Sequence, residues 1–281
     1  MFKEEIKVKR FNSEKIIPYI ILSFIGIMFL LPLLWMLIAS VDPNAHQSLK
    51  TPLSLTTRNF ASILTDPAIL RSFGIGLVLS GGQAVLVVII AGLAAYPLSR
   101  YALKFKKPFM YTILFMTSLP ITAVMVPVYQ LFTFIHLQNS LSGTILFLTA
   151  SALPYAIWMM KNFMDAVPLE LEESAWIDGA SVLEGLRKIV APLIIPGICT
   201  VAIFTFSGSW GNFFVPYILI QTPENFPASV TIFQFFGNYG LVEYGKLAAF
   251  SLIYTMPAVV LYLFSQRFMS QGFNLGGASK G

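Results

Sequence analysis

The run from Ile16 to Ser40, IIPYIILSFIGIMFLLPLLWMLIAS, decides the fold class. It carries no charged side chain and exceeds the about 20 residues a helix needs to cross a hydrocarbon core about 30 Å thick. Ahead of it stand Lys3, Lys7, Lys9, Arg10 and Lys15. A secretory leader also starts with a basic region, but its apolar core spans only about 7–15 residues and ends at a small-residue cleavage site. The run here is longer and shows no clear site of that kind, so it reads as an uncleaved anchor entered from the inside.

The rest of the chain repeats the pattern. Of 281 residues, 56% are hydrophobic and 11% charged, more apolar surface than a soluble domain of this length buries, so the bilayer is the expected solvent. Further apolar stretches lie at about Ser72–Tyr96, Pro108–Phe132, Gly143–Met160, Pro192–Phe214 and Lys246–Phe268. The segment between Val41 and Leu70 holds Asp42-Pro43-Asn44, Thr51-Pro52 and Asp66-Pro67, turn signals of an exposed loop with at most short helices. The net charge of +5 gathers beside the ends of the apolar stretches, which suits topology better than nucleic acid. Arg100, Lys104, Lys106 and Lys107 follow the second stretch with no acidic residue among them and belong on the cytoplasmic side. Six spans with both termini inside then leave only Lys50, Arg58, Arg71 and Lys246 outside or at the outer boundary. Pro120 and Pro127 predict a bend in the third span.

The resulting reading is an all-α membrane protein with six transmembrane helices. Residues 1–15 form a cytoplasmic segment, 16–268 one permease domain, and 269–281 a cytoplasmic tail. No fixed-period repeat is apparent, and the lone Cys199 forms no internal disulfide framework. His46 and His136 fall in outer loops without partners at metal-ligand spacing, which favours a surface role.

The loop 161–190 is the one long acidic stretch, and it falls on the inner side. Pro168 is placed to begin a short helix, with Glu170, Glu172 and Glu173 in its early turns, where carboxylates meet the positive end of the helix dipole. Gly179 ends it. Ser181-Val182-Leu183-Glu184 has the spacing of a capping box and opens a second helix. Leu183, Leu186, Ile189 and Val190 form its apolar face, and Arg187 and Lys188 fill its last turn. Pro192 ends that helix or opens the next span. A helix-turn-helix outside the membrane follows.

This loop resembles the cytoplasmic signature of the membrane subunits of binding-protein-dependent ATP-binding-cassette importers: Glu-Ala-Ala, three residues, Gly, nine residues, Ile-x-Leu-Pro. Here Glu173-Ser174-Ala175, Gly179 and Ile189-Val190-Ala191-Pro192 stand at that spacing, with Ser174 in place of alanine and Ala191 in place of leucine. The stretches Ala94–Arg100, Ile177–Ser181, Ser209–Phe214 and Gly276–Gly281 resemble the carbohydrate branch, in particular the smaller maltose-type permease. Departures are Gly211, where an asparagine commonly precedes, and Pro97 beside the tyrosine.

The resemblance implies that the loop helix docks into a cleft of an ATPase subunit and transmits its closure to the permease halves. Glu173 would meet a basic group there, and Gly179 would form the turn without a Cβ penalty. Asp178 would brace that turn or cap the next helix, and reads equally as a solvated loop residue; an isolated acidic run reads first as a solvated, helix-capping loop, and the complete motif reverses that for the loop as a whole. The implied assembly has an ATPase dimer carrying ATP and Mg, a second and homologous permease, and an extracellular or periplasmic solute-binding protein, in a bacterial cell membrane. The chain itself has no Gly-x-x-x-x-Gly-Lys-Ser/Thr loop and is not an enzyme on this reading.

Ser209, Trp210 and Asn212 combine hydrogen-bonding and aromatic side chains that suit a sugar, and Gln83, Gln130 and Tyr254 are candidates of the same kind. Interhelical hydrogen bonds and interfacial anchoring are the competing account of all six. The outer segment Tyr217–Gly245 is polar and faces the binding protein in this scheme. A secondary transporter would place ionisable groups in its spans for ion coupling, and none is evident mid-span. Polyamine, phosphonate or peptide cargo remains an alternative, though the spans show neither the acidic nor the basic groups the first two would favour.

Overall fold

A computed structural model describes residues 13–48, 50–236 and 242–277. The segment 1–12 and the end of the tail, 278–281, lie outside the described residues, as do 237–241 within the outer segment. The described elements are all helical. They fall into two compact units, Met1–Ile63 with Phe235–Leu252, and Leu64–Gln234 with Ile253–Gly281. Four helices are long and apolar enough to cross a membrane, and six spans result if each of two bent helix pairs is counted as one.

The first unit contains α1, Ser13–Ser40, with Pro18 and Pro32 inside it. Phe24 and Phe29 are among the many large apolar side chains it exposes, the expected surface for a lipid solvent. The chain leaving α1 is tied back locally, since the Asn59 amide donates to the carbonyls of Ser40 at 3.0 Å and Asp42 at 3.1 Å. Asn59 belongs to a short helix, α2, Arg58–Leu64. Gly245 packs so closely on Asn59 that a Cβ would lie 2.5 Å from its amide nitrogen.

In the second unit, α3 spans Pro67–Arg100 and starts well before the expected Ser72. Asp66-Pro67, read as a loop signal, is the helix start itself: Asp66 Oδ1 accepts from Ala68 N at 2.8 Å, and Pro67, lacking an N–H, suits the first turn. The third stretch is two helices, α4 Lys106–Met116 and α5 Ile121–Phe134, at 94° to each other. The sharpness of that break, in place of a bend, follows from the chain's chemistry. Bonds from Thr117, Ser118 and Leu119 to residues three back tighten the end of α4, and Pro120 then sits extended as the N-cap of α5. Pro127 is accommodated inside α5.

Ser140 caps α6, Leu141–Asp165, by accepting from Gly143 N at 3.0 Å, so this helix begins before Gly143 and runs beyond Met160 into the loop 161–190. Helices α3 and α6 pack along their length around Val87, Ala91, Ala95, Ala156 and Met160. The small residues let the backbones approach, which is how helices associate where no hydrophobic drive exists between them and lipid.

The acidic loop contains α7, Glu170–Ile177, with Pro168 two residues ahead of it. A turn leads to α8, Val182–Gly185, which continues as one wide π-turn, Leu186–Val190, into α9, Ala191–Leu193. Pro192 therefore lies within the helical path and does not end it. A proline ring clashes with the carbonyl four residues back, and the wider turn, in which Ala191 N bonds to Leu186 O, accommodates it. The break comes at Ile194, and α10, Ile195–Trp210, departs at 77°. Gly197 permits this exit to lie against α6: a Cβ there would overlap the Phe163 ring. Beyond it come α11, Phe214–Leu219, and α12, Ala228–Thr231. The last helix, α13, runs Tyr244–Gly277.

Candidate coupling loop and solute pocket

Gly179 adopts φ +89°, a conformation that side chains resist, and it directs the chain from α7 toward α8. Its N–H donates to Trp176 O at 3.1 Å and that of Ala180 to Ala175 O at 2.9 Å, closing the end of α7. Ser181 and Glu184 complete the capping box: Ser181 Oγ accepts from Glu184 N at 3.3 Å, while Ser181 N donates to Glu184 Oε2 at 3.0 Å. The Ser181 backbone N–H, the Lys188 ammonium and the Ser181 hydroxyl hold the Glu184 carboxyl down to about 2.

Glu173, Ser174, Asp178 and Gly179 are exposed on one small headland, with Ala175 half-buried beneath them. Ser174 Oγ donates back to Glu170 O at 2.8 Å within the helix, and Glu173 beside it is an exposed carboxylate. Ile189 is half-buried on the inner side of the following helical path, and Pro192 is exposed.

Glu172, the neighbour of Glu173, is turned fully inward, with an exposure of 0%. Its Oε2 accepts from the Tyr96 hydroxyl at 2.8 Å, and its Oε1 pairs with Arg100 Nε. Ser99 next door donates to Asp165 Oδ1 at 2.6 Å, and Asp165 pairs with Lys161. The ends of α3 and α6 and the start of α7 thus meet in one polar knot. Sequence reading placed Glu172 among helix-terminal acids; its one distinguishing signal was position, since at helical spacing Glu172 points away from the side on which Glu173 projects.

A cavity of about 280 Å³ opens between α3, α6 and α10. Gln83, Ser209 and Asn212 line it together with Ser151, Tyr155 and Thr205. Gln83 Nε2 donates to Leu148 O at 2.9 Å. Its Oε1 and the Ser209 hydroxyl are buried without a protein partner, unusual for polar atoms in a packed bundle. Asn212 Oδ1 accepts from Val215 N at 3.0 Å, fixing the chain as it leaves α10. Tyr155, stacked on Trp158 at 6.3 Å, supplies an exposed aromatic face that sequence reading did not single out.

The other three candidates stand elsewhere. Gln130 is exposed on α5 and does not line the cavity. Trp210 is buried, stacked on Tyr254 at 5.2 Å and on Phe206 at 5.9 Å, and Gly76 makes room for its ring. Tyr254 is occupied by the same contact. Both serve packing.

Among known families, the one described as binding-protein-dependent transport system inner membrane component matches residues 84–274. The trehalose transport system permease protein SugB of Mycobacterium tuberculosis is 31% identical, over 90% of this chain and 93% of that protein. The maltodextrin transport system permease protein MdxG of Bacillus subtilis is 28% identical, over 94% and 96%. A solved bacterial ABC transporter involved in the import of the acidic polysaccharide alginate has a chain that superposes with a TM-score of 0.79 at 19% identity, covering 95% of this chain and 99% of that one. At that identity the likeness is one of fold.

Proposed function

Because this chain belongs to the family of binding-protein-dependent transport system inner membrane components, we propose that it is a permease subunit of an ATP-driven importer of a neutral sugar or oligosaccharide. The observation that carries the choice of cargo is the cavity between α3, α6 and α10. Its lining offers hydroxyls, amides and an aromatic face and holds no lysine, arginine, aspartate or glutamate. Sugar hydroxyls and CH faces match such a surface, whereas phosphonates and polyamines call for charge. The trehalose and maltodextrin permeases among its relatives support the same reading.

In this scheme residues 16–268 form the permease domain with six spans, α4 with α5 making the third and the stretch from Pro192 through α10 the fifth, and the loop 161–190 and both termini face the cytoplasm. Glu173, Ser174, Ala175, Asp178, Gly179, Ile189 and Pro192 belong to the surface or frame that engages an ATPase dimer, which binds ATP and Mg. A second, homologous permease completes the pathway, and a solute-binding protein delivers the sugar against the outer segment Tyr217–Gly245. Alternating access follows when ATPase closure shifts the population of inward and outward states. The test is uptake by proteoliposomes holding the complete importer, assayed with a panel of labelled sugars, a peptide, a polyamine and a phosphonate. ATP-dependent uptake of a sugar supports the proposal; uptake of another class, or uptake that does not need ATP, overturns it.

A further inference from the structure

The covalent routes from α7 to the cavity are both broken by turns. Toward α6 the chain passes through the turn 166–169, and toward α10 it passes through a π-turn and the 77° break at Ile194. The third route is not covalent. Glu172 is completely buried at the start of α7, and its two carboxylate oxygens are taken by Tyr96 and Arg100, whose side chain is 5% exposed. Both partners lie in the last two turns of α3, a single helix of 34 residues. Gln83, on the wall of the cavity, belongs to that same helix. At 1.5 Å per residue it lies about 25 Å from Arg100 along that helix, which carries Pro97 between Tyr96 and Arg100.

The knot is also braced sideways. Arg100 Nη1 reaches Ser99 Oγ at 3.4 Å, and Ser99 donates to Asp165 at the end of α6. On the other side, Gly185 lets the Trp176 indole lie close, 3.2 Å from where a Cβ would stand. A paired charge held without solvent has a narrow choice of geometries, because either ion left alone would be strongly unfavourable. Breaking such a joint is therefore costly, although Arg100 Nη2 is buried without a partner of its own.

We propose that Glu172, Arg100 and Tyr96 are positioning residues that lock α7 to α3, so that motion delivered to the acidic loop is passed along α3 to the wall of the solute cavity. The inference rests on the importer reading given above. It assigns the two adjacent glutamates different tasks: Glu173 faces outward to a partner, and Glu172 faces inward to α3.

The test uses the complete importer in proteoliposomes, measuring ATP hydrolysed and sugar taken up in the same vesicles. Glu172→Gln keeps the shape and removes the charge; Tyr96→Phe removes one hydrogen bond and leaves the ion pair. With the ATPase still co-purifying, both are expected to lower the sugar carried per ATP by about fivefold, the scale seen for substitutions within coupled networks. Arg100→Lys, which retains the charge, is expected to lose less. If Glu172→Gln does not assemble, Tyr96→Phe decides. An unchanged ratio, or hydrolysis and uptake falling in proportion, means that the knot only holds the fold and overturns the inference. Should the wild-type complex itself neither bind an ATPase nor take up sugar, the importer reading fails first and the joint with it.

Discussion

The indole N–H of Trp210 donates to the Tyr254 carbonyl at 3.0 Å, and the Tyr254 hydroxyl donates back to the Trp210 carbonyl. The two rings stack between these bonds. A reciprocal lock of this kind joins α10 to α13 within one unit of the structure and keeps Trp210 buried. Tyr254→Phe removes one bond and is expected to lower stability by about 1 kcal/mol, and Trp210→Ala by about 3–5 kcal/mol. Thermal unfolding in detergent measures both, and the ranking of transported sugars should stay as in the wild type.

The cavity residues should behave in the opposite way. Asn212→Ala and Tyr155→Ala are expected to raise the apparent KM for the sugar by about tenfold each, equivalent to about 1.4 kcal/mol of lost contact; Asn212→Ala also loses the bond to Val215 N and about 1 kcal/mol of stability with it. Gln130→Leu, on an exposed face away from the cavity, should leave KM unaltered. A Gln130 variant with the larger effect would move the solute path to another face of the bundle.

Glu173→Ala and Gly179→Val should both leave membrane insertion and permease pairing intact. The first removes an exposed carboxylate, and the second forces a β-branched side chain into a backbone at φ +89°. Each is expected to loosen ATPase co-purification and to reduce transport at least tenfold, about 1.4 kcal/mol or more. Normal co-purification with an altered choice of sugar would dissociate the loop from coupling.

Orientation has its own measurement. Ser174 is exposed on α7, so a cysteine at this position reports which side of the membrane the loop occupies. In intact cells it should resist a membrane-impermeant thiol reagent and react once the membrane is opened. Reaction from outside would invert the topology.

The capping box should respond to acid. Glu184 titrates near 2 in the folded loop against an ordinary 4.5, and a carboxyl so depressed contributes stability that is fully present above its unfolded value. That contribution is lost as pH falls through the window from about 4.5 to about 2. Exposure and solvent screening keep the effect local. Protection of the Ser181 amide, corrected for intrinsic exchange rate, should be constant from pH 7 to about 4.5 and decline below; Glu184→Gln should flatten the profile.

Much of this protein was determined by the sequence alone, because the relevant forces are short in range. A run such as Ile16–Ser40 has no way to satisfy its backbone in lipid except as a helix. The pattern Ser181 to Glu184 caps a helix through contacts three residues apart, and Gly179 accepts a positive φ because it has no Cβ. Asp66-Pro67 belonged to the same local class, but its two readings, loop or helix start, differ only in the helix that follows. What the tertiary structure alone decided are the relationships between residues far apart in the chain. Nothing near Trp210 announces that Tyr254 will occupy it, and three bundled helices were needed to bring Tyr155 to the same wall as Gln83 and Asn212. Glu172 and Glu173 are identical neighbours, and only the arrival of Arg100 and Tyr96 from α3 turned one carboxylate inward while water kept the other. Burial of a charge is a property of its partners' positions, and those positions are set by packing.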